Sequence, residues 1–135
     1  MSVFVDTSAL VALLDAEDAG HGLMRPAWDH GVDDDAGFVT TNYVLLEAIT
    51  LVQARLGLEA VRLLTGEMLP MIEPLWVTDA EHGAGVGALL TAGRRRLSLV
   101  DCVSFAVMRA RQIDEYLGLD PHFDEQGFRR YAPAD

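Results

Sequence analysis

Short β-rich runs alternate with helical segments along the whole of this 135-residue chain. The predicted strands are 3–5, 37–40, 71–77, 115–119 and 128–131. The predicted helices are 7–14, 18–30, 43–56, 58–69, 78–92 and 98–113. Because parallel neighbours need crossover connections, the alternation predicts an α/β fold: a three-layer α/β/α sandwich with a central parallel sheet of about four to five strands.

Two prolines affect the boundaries of these elements. Pro26 would be costly inside a helix, so we expect it in the first turn of the helix within 18–30. Pro74 cannot donate a hydrogen bond to a sheet. The strand within 71–77 is therefore expected to be broken or bordered by Pro74.

Composition narrows the classes of protein that are possible. Ten Lys and Arg against 21 Asp and Glu give a net charge of −11, which argues against a generic duplex-DNA binder. The single cysteine, Cys102, excludes an intramolecular disulfide, and no Cys/His spacing indicates structural zinc. Without a basic leader or a long apolar stretch, residues 1–135 are expected to form one cytoplasmic domain.

Four acidic residues share one predicted position in the fold. Asp6 and Asp120 follow strands, whereas Glu47 and Asp101 lie near the starts of helices that begin at the same edge of the sheet. Ligand crevices of such sheets lie beyond the carboxyl ends of the strands. Clustered carboxylates repel unless a cation compensates, and an all-oxygen site suits Mg²⁺ or Mn²⁺.

Three of these acids also have a structural explanation. Asp6 is placed to cap the helix that follows it. Asp101 lies three residues after Ser98 and could complete a capping box, although Asp is shorter than the usual Glu or Gln. Asp120 precedes Pro121 and could begin a turn. Each acid alone is ambiguous, so their joint occurrence is the signal.

Glu47 lies in a helical segment that is otherwise largely apolar. A carboxylate there is expected to be partly desolvated and to need a cation or a proton. The alternatives are a salt bridge to Arg94, Arg95 or Arg96, or a solvent-facing stripe shared with Tyr43 and Thr50.

Four blocks in this order resemble the PIN-domain ribonucleases. They are Asp6-Thr7-Ser8-Ala9-Leu10, Thr41-Asn42-Tyr43-Val44-Leu45-Leu46-Glu47, Leu97-Ser98-Leu99-Val100-Asp101-Cys102-Val103-Ser104-Phe105, and Asp120-Pro121-His122-Phe123 followed by Gly127-Phe128. Within that superfamily the chain resembles the VapC-type toxins of prokaryotic toxin–antitoxin pairs. The resemblance implies a metal-dependent endoribonuclease that hydrolyses RNA phosphodiester bonds with a metal-activated water. It also implies a homodimer and a cognate antitoxin that lies across the active-site groove.

The resemblance assigns roles to individual residues. Asp6, Glu47 and Asp101 match the three core metal-site acids of the family, and Asp120 matches the fourth, more variable one. Thr7 and Ser8 fall where a hydroxyl group or a backbone amide can support the site.

One position departs from the family pattern. Many relatives carry a second acid two residues after the fourth, where this chain has His122. This leaves a second metal ion in doubt, although Asp124 could substitute. Separately, Arg94, Arg95 and Arg96 precede the helix that presents Asp101 and could bind phosphates; a solvated basic run is the alternative.

Features of the sequence can also be set against two other classes of protein, a dinucleotide-binding fold and a non-catalytic module. The run 83–88 fits the G-x-G-x-x-A pattern of dinucleotide-binding folds, but its first glycine does not directly follow a strand, so we expect no dinucleotide site. The second class is a non-catalytic Mg²⁺-binding regulatory or adaptor module. A receiver of that class carries a late lysine, and this chain has no lysine at all.

A positive mean hydropathy beside a net charge of −11 suggests that a partner covers some apolar surface. Candidate antitoxin contacts on the first two helices are Leu10, Leu13, Leu14, Leu23, Met24 and Trp28. The alternative is that these side chains form ordinary core.

Overall fold

A computed structural model describes residues 1–94 and 96–133 of the chain. In chain order its elements are β1 (Val3–Val5), α1 (Thr7–Leu14), α2 (His21–Asp33), β2 (Phe38–Thr41), α3 (Asn42–Leu56), α4 (Leu58–Leu63), a π-helical turn (Leu64–Met68), a 3₁₀ turn (Leu69–Met71), β3 (Glu73–Leu75), α5 (Asp79–Ala92), α6 (Leu99–Ala110), β4 (Glu115–Leu117), α7 (His122–Glu125) and β5 (Arg129–Arg130).

The five strands form one sheet in the order β3-β2-β1-β4-β5, and every neighbouring pair is parallel. All residues of the central strand β1 are buried, although successive side chains point to opposite faces of a sheet. Both faces are therefore covered, and the predicted α/β sandwich with a parallel sheet is confirmed.

The order of the strands reverses beside β1. The chain runs outward from β1 through β2 to β3, and then places β4 on the other side of β1. The carboxyl ends of β1 and β4 are joined by a hydrogen bond of 3.0 Å from the Asp6 amide to the Leu117 carbonyl. Such a reversal opens a crevice at this edge of the sheet.

The helix α2 differs from its prediction at both ends. It begins at His21 because Asp18 first forms a turn, in which its Oδ1 accepts a 2.8 Å hydrogen bond from the Gly20 amide. The helix then continues to Asp33 and includes Pro26 in its second turn. The prediction that Pro26 lies in the first turn is therefore wrong.

The segments that contain Pro70 and Pro74 also differ from their predicted ranges. The helix within 58–69 is α-helical only to Leu63, widens to a π-helical turn and closes as a 3₁₀ turn that contains Pro70. Pro74 lies within β3, which is an edge strand of the sheet. An edge strand tolerates the missing donor.

The apolar residues proposed as antitoxin contacts belong mostly to the core. Leu10, Leu13, Met24 and Trp28 are buried, and Trp28 stacks on Phe38 with a centroid distance of 4.8 Å. For these four the antitoxin role is wrong, because their side chains pack beneath the surface. Of the remaining two, Leu14 packs partly buried against this core and Leu23 is exposed.

One of the three glycines that α5 carries at 83, 85 and 87 lies against the neighbouring helix α6. A Cβ on Gly85 would overlap Val103 Cγ2 and lie 3.0 Å from the Val103 backbone nitrogen. At Gly83 and Gly87 a Cβ would have no heavy atom within 4 Å. Gly85 therefore sets how closely α5 approaches α6.

These two environments give opposite effects for the same substitution. We expect Gly85→Ala to lower the free energy of unfolding by about 1–3 kcal/mol through overpacking. Gly87→Ala should raise it by up to about 1 kcal/mol, because alanine favours the helix. Urea unfolding of both variants checks this, and a stabilising Gly85→Ala would contradict the close approach.

In the described part of the chain, no helix combines the length and the apolar character that crossing a membrane requires.

Candidate active site

All four predicted acids line one cavity of about 340 Å³ at the carboxyl edge of the sheet. Its walls come from α1, α3, the start of α6 and the segment after β4. The lining residues are Asp6, Thr7, Ser8, Val11, Asp18, Glu47, Leu51, Arg55, Ser98, Asp101, Leu119 and Asp120. Residues far apart in the sequence thus meet where the strand order reverses.

Asp6 is the most deeply buried acid of the cavity, with 4% of its surface exposed. It occupies the N-cap position of α1 but accepts no capping hydrogen bond, so the capping explanation is wrong. Its Oδ2 accepts a 2.9 Å hydrogen bond from Ser8 Oγ, which itself accepts one from the Leu119 amide at 2.9 Å. Ser8 therefore fixes Asp6 to the end of β4.

Burial raises the pKa of Asp6 from 3.8 to about 7. The hydrogen bond from Ser8 opposes this increase, while the nearby charges of Asp101 and Asp120 add to it. In the folded chain without a bound cation, ionised Asp6 is therefore disfavoured.

Asp101 has both the roles considered from the sequence. Its Oδ2 accepts a 3.1 Å hydrogen bond from the Ser98 amide, and Ser98 Oγ accepts one of the same length from the Asp101 amide. This is a complete capping box, yet Asp101 also lines the cavity. Burial, followed by the charges of Asp120 and Glu47, raises its pKa against the hydrogen bonds from Ser98.

Glu47 is half-buried on α3. Within residues 1–94 and 96–133 it forms neither a salt bridge nor a side-chain hydrogen bond, so nothing described there compensates its charge. Arg94, one of the suggested partners, instead pairs with Glu125 at 3.2 Å. Arg95 lies outside the described residues.

Asp120 begins a turn, as its alternative explanation suggested, and also lines the cavity. Its Oδ1 accepts a 2.9 Å hydrogen bond from the His122 amide. The His122 ring contacts Glu125 at 3.0 Å, and Asp124 accepts a 2.8 Å hydrogen bond from the Tyr116 hydroxyl. His122 and Asp124 are thus directed to other partners, and neither lines the cavity.

The donor groups of the cavity suit a hard cation, but they do not form a preformed coordination site in the described structure. Thr7 Oγ1 is buried beside Asp6 without a hydrogen-bond partner in the described structure. Oxygen is the common donor of the acids and hydroxyls that line the cavity, which fits Mg²⁺ or Mn²⁺. Among the described residues, however, no three Asp, Glu, His or Cys side chains already converge to hold a metal ion.

Sequence reasoning missed two charged residues of the cavity. Asp18 reaches it from the turn before α2, and no pattern in the sequence indicated this. Arg55 lies on α3 eight residues after Glu47, a spacing that keeps two residues near one helix face and could have identified it. The predicted basic residues Arg94 and Arg96 do not line the cavity.

The raised pKa of Asp6 predicts how the metal-free protein responds to pH. Between pH 4 and 7 the folded chain holds a proton on Asp6 that the unfolded chain releases, so stability falls as the pH rises. Ionising Asp6 in the fold should cost about 4 kcal/mol. Urea unfolding in EDTA should therefore show that Asp6→Asn becomes more stable relative to the unsubstituted chain across this range. Parallel pH profiles of the two proteins would contradict the prediction.

Comparison with known proteins gives consistent matches over nearly the whole chain. A profile of the PIN domain matches residues 3–132. The 23S rRNA-specific endonuclease VapC20 of Mycobacterium tuberculosis is 34% identical over 97% of this chain and 98% of its own length.

Solved structures agree with the sequence matches. The crystal structure of Mycobacterium tuberculosis VapC20, described as a sarcin–ricin loop cleaving toxin, superimposes with a TM-score of 0.85 at 32% identity, covering 97% of this chain and 99% of that one. PAE2754 from Pyrobaculum aerophilum shares the fold, with a TM-score of 0.68 at 20% identity, covering 97% and 92%. With its four sequence blocks, its parallel sheet and its acidic cavity, the chain belongs to the PIN domain family and is similar to the VapC-type toxins within it.

Proposed function

We propose that this chain is a metal-dependent endoribonuclease that acts as the toxin of a toxin–antitoxin pair. One observation carries the proposal: Asp6, Glu47, Asp101 and Asp120, which match the family's acids, line a single cavity at the strand-order reversal. The 34% identity to VapC20 over 97% of the chain supports it. The proposal treats residues 1–135 as one nuclease domain.

The cofactor we propose is Mg²⁺ or Mn²⁺, held by those four carboxylates. When bound, such an ion would stabilise negative charge on the phosphate and make water more acidic. Ser8 keeps Asp6 in place, and the capping box with Ser98 does the same for Asp101.

The chain's own residues can also be assigned to the proton transfer. Hydrolysis requires a base that takes a proton from water as the water oxygen attacks phosphorus; the bond from phosphorus to the ribose oxygen breaks in line, and that oxygen takes up a proton from solvent. Among the described acids of the cavity, Glu47 lacks a hydrogen bond that would fix its carboxylate. We assign it the role of proton acceptor, with Asp6 and Asp101 as the more rigid ligands.

The substrate we propose is RNA, with 23S rRNA as the first candidate because the relative's name specifies it. The test incubates the purified chain with ribosomes and with a hairpin carrying the sarcin–ricin loop sequence, in Mg²⁺, Mn²⁺ or EDTA. A single cut that requires the divalent ion is expected. Absence of cleavage of these and of total cellular RNA in any metal would overturn the proposal.

The same experiment separates the enzyme from a non-catalytic Mg²⁺-binding module. Binding of the ion, seen by calorimetry, without cleavage of any RNA would favour the regulatory or adaptor module. The chain has no lysine, which a receiver carries near its C-terminal end. The similar protein VapC20 is named an endonuclease. Both observations favour the enzyme.

We further propose a cognate antitoxin and a homodimer, acting in the cytoplasm. Leu46, Trp76 and Leu90 are each more than two-thirds exposed, and they replace the four buried residues of the first two helices as candidate contacts for a partner. Co-purification with a small protein encoded next to the toxin and size-exclusion chromatography with light scattering test these proposals.

A further inference from the structure

Arg55 extends the acidic cavity along α3. It lies in the last turn of α3, and together with Glu47 and Leu51 it lines the cavity at intervals of four residues. The rise of an α-helix separates Glu47 and Arg55 by about 12 Å along the axis. Helical side chains lean toward the N-terminus of their helix, and for Arg55 that is the end of α3 that carries Glu47.

Among the described arginines, Arg55 is distinguished by lining the acidic cavity. Five carboxylates line the cavity, and Arg55 is the one Lys or Arg among the described lining residues. Its side chain is exposed and, in the described part of the chain, forms no salt bridge; the same holds for Arg96, Arg109, Arg129 and Arg130. The guanidinium of Arg55 is therefore accessible to a ligand that enters the cavity.

We propose that Arg55 is a positioning residue that binds a phosphate of the RNA strand next to the phosphate that is cleaved. Its planar fork matches two phosphate oxygens, which a strand lying along α3 would present. This contact would help an acidic protein to hold a polyanion whose reacting phosphate lies among carboxylates. The inference rests on the proposed ribonuclease function, because that function places RNA in this cavity.

Two other roles for Arg55 make different predictions. A cation in the last turn of a helix stabilises the helix dipole, which would change stability and leave RNA affinity unaltered. A contact with a carboxylate of the antitoxin would weaken toxin–antitoxin binding alone. The matched control is Arg62, which is exposed on α4, pairs with Glu59 at 2.7 Å and does not line the cavity.

The experiment measures binding separately from cleavage. Fluorescence anisotropy with the labelled sarcin–ricin hairpin in Mg²⁺ compares Asp101→Asn alone with the same chain carrying Arg55→Ala, Arg55→Lys or Arg62→Ala. We expect Arg55→Ala to weaken binding about tenfold and to reduce the slope of log K against log salt by about 0.7. Arg55→Lys should keep the slope and recover part of the affinity. Without the Asp101 substitution, Arg55→Ala should raise KM more than it lowers kcat.

Each other outcome has a definite meaning. Equal affinities with and without Arg55, no binding of the hairpin at all, or an equal loss in Arg62→Ala would overturn the phosphate contact. So would an effect confined to melting temperature or to antitoxin binding. If the hairpin binds through Arg55 but the unsubstituted chain cleaves no RNA, the contact stands and the nuclease proposal fails.

Discussion

Asp101→Asn is expected to reduce RNA cleavage by about a thousandfold or more. The substitution removes one negative charge from the proposed metal site and leaves the side-chain shape almost unchanged. A loss of about 4 kcal/mol of transition-state stabilisation, typical of a damaged metal site, corresponds to this factor. The amide oxygen of asparagine can still accept the hydrogen bond from Ser98, so the start of α6 should stay folded. Single-turnover cleavage of the hairpin measures the effect.

The control for this prediction is Asp29→Asn. Asp29 pairs with Arg25 at 3.2 Å on α2, where both side chains are more than half exposed. It undergoes the same chemical change and should retain the cleavage rate. If Asp101→Asn cleaves nearly as fast as this control while remaining folded by circular dichroism, then Asp101 is only a helix cap and the proposed metal site is wrong.

The sequence could predict that the four acids lie at the carboxyl edge of the sheet, because this depends only on where strands end and helices begin. Asp6 directly follows the first strand, and the carboxyl ends of all strands in a parallel sheet lie at the same edge whatever their order. The sequence therefore predicts that Asp6 and Asp120 lie at one edge, and this prediction does not depend on the strand order β3-β2-β1-β4-β5. Glu47 was found by its contrast with an apolar helix. These signals are local in sequence.

The remaining features depend on contacts between distant segments. Asp18 enters the cavity because a turn delays the start of α2, and Pro26 is tolerated inside that helix. The rotation of α3 about its axis, which brings Arg55 to the cavity, is set by packing against neighbouring elements. Likewise, the need for glycine at position 85 arises only because Val103 of α6 packs against it. No window of the sequence contains both partners of such a contact.

A divalent cation should stabilise the folded chain strongly, and the effect should depend on Asp6. Because burial raises the pKa of Asp6 to about 7, a cation relieves an unfavourable charge that is present above this pH. A metal at a hundred times its dissociation constant adds about 2.7 kcal/mol, or about 10 °C in melting temperature for a chain of this size. The increment should be small at pH 6, where the proton competes with the metal, and larger at pH 8.

Thermal unfolding with Mn²⁺ at the two pH values tests this coupling without any assay of activity. Asp6→Asn should melt higher than the unsubstituted chain at pH 8 in EDTA, since it lacks the buried charge, and should gain little from Mn²⁺. Asp29→Asn should behave like the unsubstituted chain. Asp6→Asn should thus melt higher in EDTA but respond less to Mn²⁺. This combination distinguishes a metal site from general stabilisation by salt, which would raise all three melting temperatures equally. Equal increases in melting temperature for the three proteins would therefore mean that the acids of this cavity lie together but do not bind a metal ion.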